Sequence, residues 1–126
     1  PDMRLPIQYA FSFPERLYLK GERLDLFKQQ RLEFFEPDTN KFKCLALAYE
    51  AIDKGGNMPC ILNAANEVVN AAFRRNECSF LGMADVIEQT MQQATFDKNS
   101  NLDVYLQTDA EARTIAQRLV LKASTL

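Results

Sequence analysis

Histidine is absent from all 126 residues. That one absence removes the commonest general base, the Ser-His-Asp triad and most zinc sites. The three cysteines, Cys44, Cys60 and Cys78, lack the Cys-x-x-Cys spacing of a structural zinc site. Their odd number and wide spacing argue against a secreted disulfide framework and for a reducing intracellular compartment. Each is expected to be a small buried apolar side chain. The four glycines form neither a Gly-x-Gly-x-x-Gly turn nor a Walker loop, so any nucleotide site is expected to come from elsewhere. No apolar run approaches the roughly 20 residues needed to cross a bilayer. A net charge of -2, a pI near 5.2 and dispersed basic residues give no field to attract nucleic acid or an anionic membrane. The chain opens Pro1-Asp2-Met3, without an initiator methionine or a signal-peptide pattern, and is expected to continue a longer polypeptide. The expected location is the cytoplasm, or a plastid for a plant source.

What is present is ordinary globular composition, 47% hydrophobic and 25% charged, which excludes a wholly disordered chain. The length suits one well-cored domain and not two. The expected fold is mostly α: a C-terminal four-helix bundle-like domain, preceded by a short helix and an extended linker with at most one short strand. Residues 1–20 are aromatic and punctuated by prolines. Pro6 suits the first turn of a short helix through Phe11, and Pro14 should end it. Tyr9, Phe11, Phe13, Leu17, Tyr18 and Leu19 are more large apolar groups than so short a segment can bury against itself, so they need a partner surface. Residues 21–41 lose helical period and read as a linker, with Arg31–Glu36 the one candidate strand.

From about residue 42 to 126 amphipathic helices take over. The first spans about Lys43 to Lys54, with Cys44, Leu47, Ala48, Ala51 and Ile52 as its apolar stripe and Gly55-Gly56 as its stop. The second runs from about Pro59 to Asn76 and is the most apolar, with Ile61, Ala65, Val68 and Ala72 widened by Leu62, Val69 and Phe73. The third runs from about Gly82 to Ala94, and Ser79 is a possible cap for it. The fourth is expected to start at a Thr108-Asp109-Ala110-Glu111 capping box and to bury Ala112, Ile115, Ala116, Leu119 and Leu121.

One polar cluster interrupts this pattern. Asn63, Asn66 and Glu67 lie inside an otherwise good helix, although asparagine is a poor helix former. Asn63 and Glu67, four apart, share a face, with Asn66 adjacent. The functional reading is an acid with two amide positioners. The structural reading is a set of hydrogen bonds to a crossing segment or a neighbouring helix end. The structural reading is preferred, because a lone glutamate without a base, a metal partner or a lysine makes a poor reaction centre. Asp109 and Glu111 are accounted for by capping and the helix dipole.

Three blocks in order, Pro1-Asp2-Met3-Arg4-Leu5-Pro6-Ile7, Cys44-Leu45-Ala46-Leu47-Ala48-Tyr49-Glu50-Ala51 and Leu62-Asn63-Ala64-Ala65-Asn66-Glu67-Val68, resemble the C-terminal third of the 1-deoxy-D-xylulose 5-phosphate reductoisomerase family. The Phe34-to-Asp38 stretch and Asp109-Ala110-Glu111-Ala112-Arg113 fit the same family. The resemblance implies a parent oxidoreductase of the non-mevalonate isoprenoid route. That parent converts 1-deoxy-D-xylulose 5-phosphate to 2-C-methyl-D-erythritol 4-phosphate with NADPH and Mg²⁺ or Mn²⁺. It further implies that the NADPH-binding and catalytic domains lie upstream as partners of this region, and that the parent is a homodimer. Residues 1–20 then correspond to the end of the central domain, 21–41 to a linker and 42–126 to the C-terminal bundle. Pro1 and Met3 are the positions expected at the edge of the substrate and nicotinamide pocket. No catalytic residue, metal ligand or bound cofactor is expected within these residues. Leu81-Gly82 departs from the family pattern, which commonly has a Thr-Asp helix start there.

Overall fold

The computed structural model describes residues 2–21 and 23–123. It contains six helices and, among the described residues, no strand. The chain divides into two units, Pro1–Glu36 and Pro37–Leu126. The expectation of a mostly helical chain is met, and the candidate strand at Arg31–Glu36 is instead irregular backbone.

In the first unit, α1 covers Arg4–Ser12 and α2 the single turn Leu26–Gln29. Pro6 sits in the first turn of α1, where its missing N–H is no loss. Pro14 ends the helix by forcing Phe13 to extended backbone (ψ 133°), and the Phe13–Pro14 peptide is cis. Local contacts hold the returning segment of chain. Gln8 Nε2 donates to the Leu17 carbonyl at 3.0 Å, Tyr9 and Phe13 stack edge to face, and the Arg16 guanidinium lies 4.4 Å from the Tyr9 ring centre. Asp25 caps α2 by accepting from the N–H groups of Phe27 and Lys28. No residue of α1 or α2 is buried within the described chain, and Phe11, Phe13, Phe27, Phe34 and Phe35 stand exposed.

The second unit is the bundle: α3 (Lys43–Lys54), α4 (Met58–Arg74), α5 (Phe80–Gln93) and α6 (Leu102–Ala123). Apolar residues at helical spacing supply the core. Ile61, Ala64, Ala65, Val69 and Ala72 come from α4; Met83, Val86, Ile87 and Met91 from α5; and Ala112, Ile115, Ala116, Leu119 and Val120 from α6. Burying each large aliphatic side chain here contributes about 1.5–3 kcal/mol. The alanines of α4 and α6 leave room for close helix approach. Lys43 ties α3 to α5 through Asp85 (3.1 Å) and Glu88 (2.7 Å). Ser79 caps α5 by accepting from the Gly82 N–H at 3.1 Å.

Three details differ from the sequence expectations. Helix α6 begins six residues before Thr108, capped by Asn101, whose Oδ1 accepts from the Val104 N–H at 3.0 Å. Thr108 is buried inside the helix, and Glu111 accepts instead from the Thr95 N–H and hydroxyl. The outer ends of two stripes are also misplaced: Ile52 and Leu121 are each 70% exposed, and Val120 takes the core position expected of Leu121. Cys44 is exposed, whereas Cys60 and Cys78 are partly buried; all three are free thiols.

Asn57, 1% exposed at the start of α4, knots the bundle together. Its Nδ2 donates to the Thr95 carbonyl and to Thr108 Oγ1, both at 2.9 Å, and its Oδ1 accepts from the Asp97 N–H at 2.8 Å. Its backbone N–H donates to the Asp97 carbonyl at 2.9 Å. Beside it Gly56 has φ +55°, and a Cβ there would lie 2.3 Å from the Asp97 carbonyl oxygen. Glycine is required at that turn on both counts. Asn57→Ala strands the buried Thr108 hydroxyl and leaves the part-buried Thr95 carbonyl and Asp97 N–H without their partner, and is expected to lower unfolding stability by about 2 kcal/mol. Thr108→Val removes one bond and is expected to cost about 1 kcal/mol. Urea denaturation checks both, and equal losses for the two variants would contradict the knot.

Candidate functional surface

The polar cluster of α4 lies on the solvent side of the bundle, and its partner is a residue that sequence reasoning left on the solvated surface. Glu67 Oε2 accepts from Arg113 Nη2 at 2.6 Å, and Glu67 Oε1 accepts from Asn63 Nδ2 at 3.3 Å. Arg113 also grips Asp109 one turn back on α6, with Nε to Oδ2 at 2.7 Å and Nη2 to Oδ1 at 3.0 Å. The planar guanidinium therefore bridges two carboxylates from different helices, a geometry that lysine does not reproduce. The signal in the sequence was the Asp109–Arg113 spacing of i, i+4. Assigning Asp109 to a helix cap obscured it.

The electrostatics follow from this geometry. Hydrogen bonding to Arg113, then its charge, then the Asn63 amide hold the Glu67 carboxyl below its ordinary range. Asp109 is likewise lowered, chiefly by its bonds to Arg113, and Arg113 is raised by both carboxylates. Both acids stay ionised and occupied, which is the opposite of what a general acid requires. Cys60, whose Sγ lies 3.6 Å from the Tyr105 carbonyl, is pushed up by burial and by the Asp109 charge, so it is a poor nucleophile. Asn66 is exposed, and its amide makes no hydrogen bond among the described residues.

Of the two pocket-edge positions, Pro1 lies outside the described residues. Met3 stands at the N-cap position of α1 in the first unit, without a side-chain capping bond, and is 70% exposed. Beside it Asp2 accepts from Arg4 Nε at 2.8 Å, and the guanidinium holds the Asp2 carboxyl down at about 2. The same unit carries an open groove of about 630 Å³, lined in part by Leu5, Tyr9, Leu17 and Leu24. Met3 and the Asn63–Glu67 cluster belong to different units.

Asp109→Asn removes the paired charge within α6. Because both partners are partly solvated, the expected loss at neutral pH is only about 0.5 kcal/mol. The folded-state pKa of Asp109 is depressed, so the stability it contributes is present above its unfolded value of 3.8 and is lost as pH falls through the folded value. The difference between wild type and variant should therefore vanish in strongly acidic buffer. A gap that persists there in thermal unfolding would contradict the pairing.

Comparison with known proteins matches this geometry to one family. A family model described as the DXP reductoisomerase C-terminal domain matches residues 1–115. The 1-deoxy-D-xylulose 5-phosphate reductoisomerase of Bacteroides fragilis is 61% identical over 122 residues, covering 97% of this chain and 31% of the relative. That of Bacteroides thetaiotaomicron is 60% identical over 120 residues, 95% of this chain and 31% of its own length. Among solved structures, the Zymomonas mobilis enzyme in complex with NADPH superposes with a TM-score of 0.85 at 38% identity, covering 95% of this chain and 32% of that one. A reductoisomerase in complex with NADPH, fosmidomycin and magnesium gives 0.82 at 32% identity, with 96% and 32% covered. The chain thus spans about a third of the length of the relatives it matches. By sequence and by structure, these residues belong to the DXP reductoisomerase C-terminal domain family.

Proposed function

We propose that this chain is the C-terminal supporting region of an NADPH- and divalent-metal-dependent reductoisomerase that converts 1-deoxy-D-xylulose 5-phosphate to 2-C-methyl-D-erythritol 4-phosphate, and that by itself it is inactive. The observation that carries the reading is identity of up to 61% across 97% of the chain, aligned with only 31% of the relative. The rest of the enzyme is assigned to the part that precedes Pro1. Residues 1–20 are the end of the central catalytic domain, 21–41 a linker and 42–126 the helical bundle. Pro1 and Met3 sit at the edge of the substrate and nicotinamide pocket. Asn63, Asn66 and Glu67 do no chemistry, and Asn63 and Glu67 help to hold α4 to α6 through Arg113. The complete protein is a homodimer of the cytoplasm.

A metal ion does not fit the described residues. Among the described residues no group of three or more His, Cys, Asp or Glu side chains is placed to hold a metal ion. Glu67 and Asp109 are already committed to Arg113. Held by residues outside this chain, a divalent metal would supply Lewis-acid chemistry and NADPH a hydride donor. The contribution of this chain is mechanical: a rigid bundle keeps the neighbouring catalytic elements in register.

Oxidation of NADPH, followed by absorbance with 1-deoxy-D-xylulose 5-phosphate and Mg²⁺, tests both halves of the proposal. The complete reading frame is expected to turn over and the 126-residue chain to give only the protein-free background. Turnover by the short chain would overturn its inactivity, and none by the complete protein would overturn the parent reaction.

A further inference from the structure

The loop between α5 and α6 carries an asparagine whose side-chain chemistry the fold leaves unrestrained. Asn99 is exposed, and its amide makes no hydrogen bond among the described residues. Ser100 follows it, and its hydroxyl is fixed by donating to the Asp97 carbonyl at 3.0 Å. The Ser100 N–H has no partner among the described residues. An amide carbon therefore stands next to an unbonded main-chain nitrogen, beside a side chain too small to shield either. Asparagine is chemically labile in that setting, because a five-membered imide closes when the following nitrogen can reach Cγ.

The fold withholds this combination from the other asparagines. In α4, the nitrogens that follow Asn63, Asn66 and Asn70 are tied into helical hydrogen bonds. Asn57 is buried, and the Met58 N–H after it donates to the Gly55 carbonyl at 3.1 Å. After Asn76, the Glu77 N–H donates to the Ala72 carbonyl at 2.9 Å. After Asn40, the Lys41 N–H donates to Asp38 Oδ1, also at 2.9 Å. Asn101 spends its Oδ1 on the Val104 N–H, and the branched side chain of Leu102 crowds the approach to it.

We propose that Asn99 is a site of spontaneous modification, at which the chain converts its own asparagine to aspartate and isoaspartate. The Ser100 nitrogen attacks Asn99 Cγ. A carbon–nitrogen bond forms, the bond from Cγ to the side-chain nitrogen breaks, and that nitrogen leaves as ammonia with the proton given up by Ser100. Water then opens the imide at either carbonyl. Opening at Cγ leaves aspartate; opening at the main-chain carbonyl leaves isoaspartate, with the chain now running through Cγ. Both products add a negative charge near the start of α6, close in sequence to Asp97 and Asp103. Isoaspartate also lengthens the main chain by one carbon between two anchors. On one side Asp97 is bonded to Asn57 through its N–H and its carbonyl, and on the other Asn101 caps α6.

The test holds the 126-residue chain in warm, mildly alkaline buffer, with and without urea. Each asparagine is followed by peptide mass as its amide becomes a carboxylate. Without urea, Asn99 is expected to convert at least five times faster than any other asparagine and within threefold of its own rate in urea. Asn57, Asn63, Asn66 and Asn70 should convert at least ten times more slowly folded than in urea. A folded-to-unfolded rate ratio at Asn99 equal to that of those four overturns the proposal, as does faster conversion at Asn40, Asn76 or Asn101. Ser100→Val, which places a branched side chain beside the attacking nitrogen, should slow Asn99 at least fivefold, and an unchanged rate overturns the proposal. Chromatography of the Asn99 peptide is expected to resolve both aspartate and isoaspartate. Aspartate alone would mean direct hydrolysis of the amide and overturns the imide route.

Discussion

The fully buried Asn57 amide is the interaction on which the bundle's geometry depends. It joins the start of α4, the segment after α5 and the middle of α6, and all three of its side-chain bonds reach more than 35 residues along the chain. An amide is the group that fits, since it presents two donors and an acceptor in one plane. The partners fix its orientation: the Thr95 carbonyl can only accept, and the Asp97 N–H can only donate. Aspartate would lose both donors and bury a charge, and serine would not span the gap. In a low-dielectric interior a satisfied network specifies one arrangement, because any slip leaves a polar group stranded. The apolar contacts of Ile61, Val69 and Ile87 supply stabilisation that many packings would accept; the amide selects among those packings.

Around that knot, the bundle places its polar resources on the outside. Arg113 unites α4 and α6 through Glu67 and Asp109, at a site too solvated to add much stability. Its value is geometric, since three ionic side chains that hold one another fix the shape of the surface they line. A domain that performs no chemistry can still matter to a reaction in this way, by offering a rigid face to whatever packs against it. The first unit exposes aromatic side chains along a short helix and an extended segment, and buries none of them.

Much of this was legible in the sequence, for physical reasons that differ by element. The limits of α3 were readable because an apolar stripe ends at paired glycines that can adopt positive φ. The short first helix was readable because Pro14 leaves the preceding residue no helical option. The start of α6 was not, because Thr108-Asp109-Ala110-Glu111 satisfies the chemistry of a capping box, whereas Thr108 and Glu111 bond to other segments and Asp109 pairs with Arg113 along its own helix. Asn57 was invisible for the same reason: a lone asparagine after two glycines reads as a turn, and its partners are set by the tertiary fold. The polar character of the Asn63–Glu67 cluster was apparent, yet its cation lies 46 residues away, beyond any local pattern. The family resemblance could be read from ordered blocks, which do not require those contacts to be known.

The side-by-side course of α4 and α6, in the same direction, also constrains how the molecule is made. Two parallel helices cannot be joined by a tight turn, so α5 must run back between them before α6 can be laid down. The most apolar helix of the chain therefore leaves the ribosome with its deepest face uncovered, and Asn57 waits 51 residues for Thr108. The span of synthesis between those two residues is when this region is most exposed to aggregation, and when a chaperone would find most to hold.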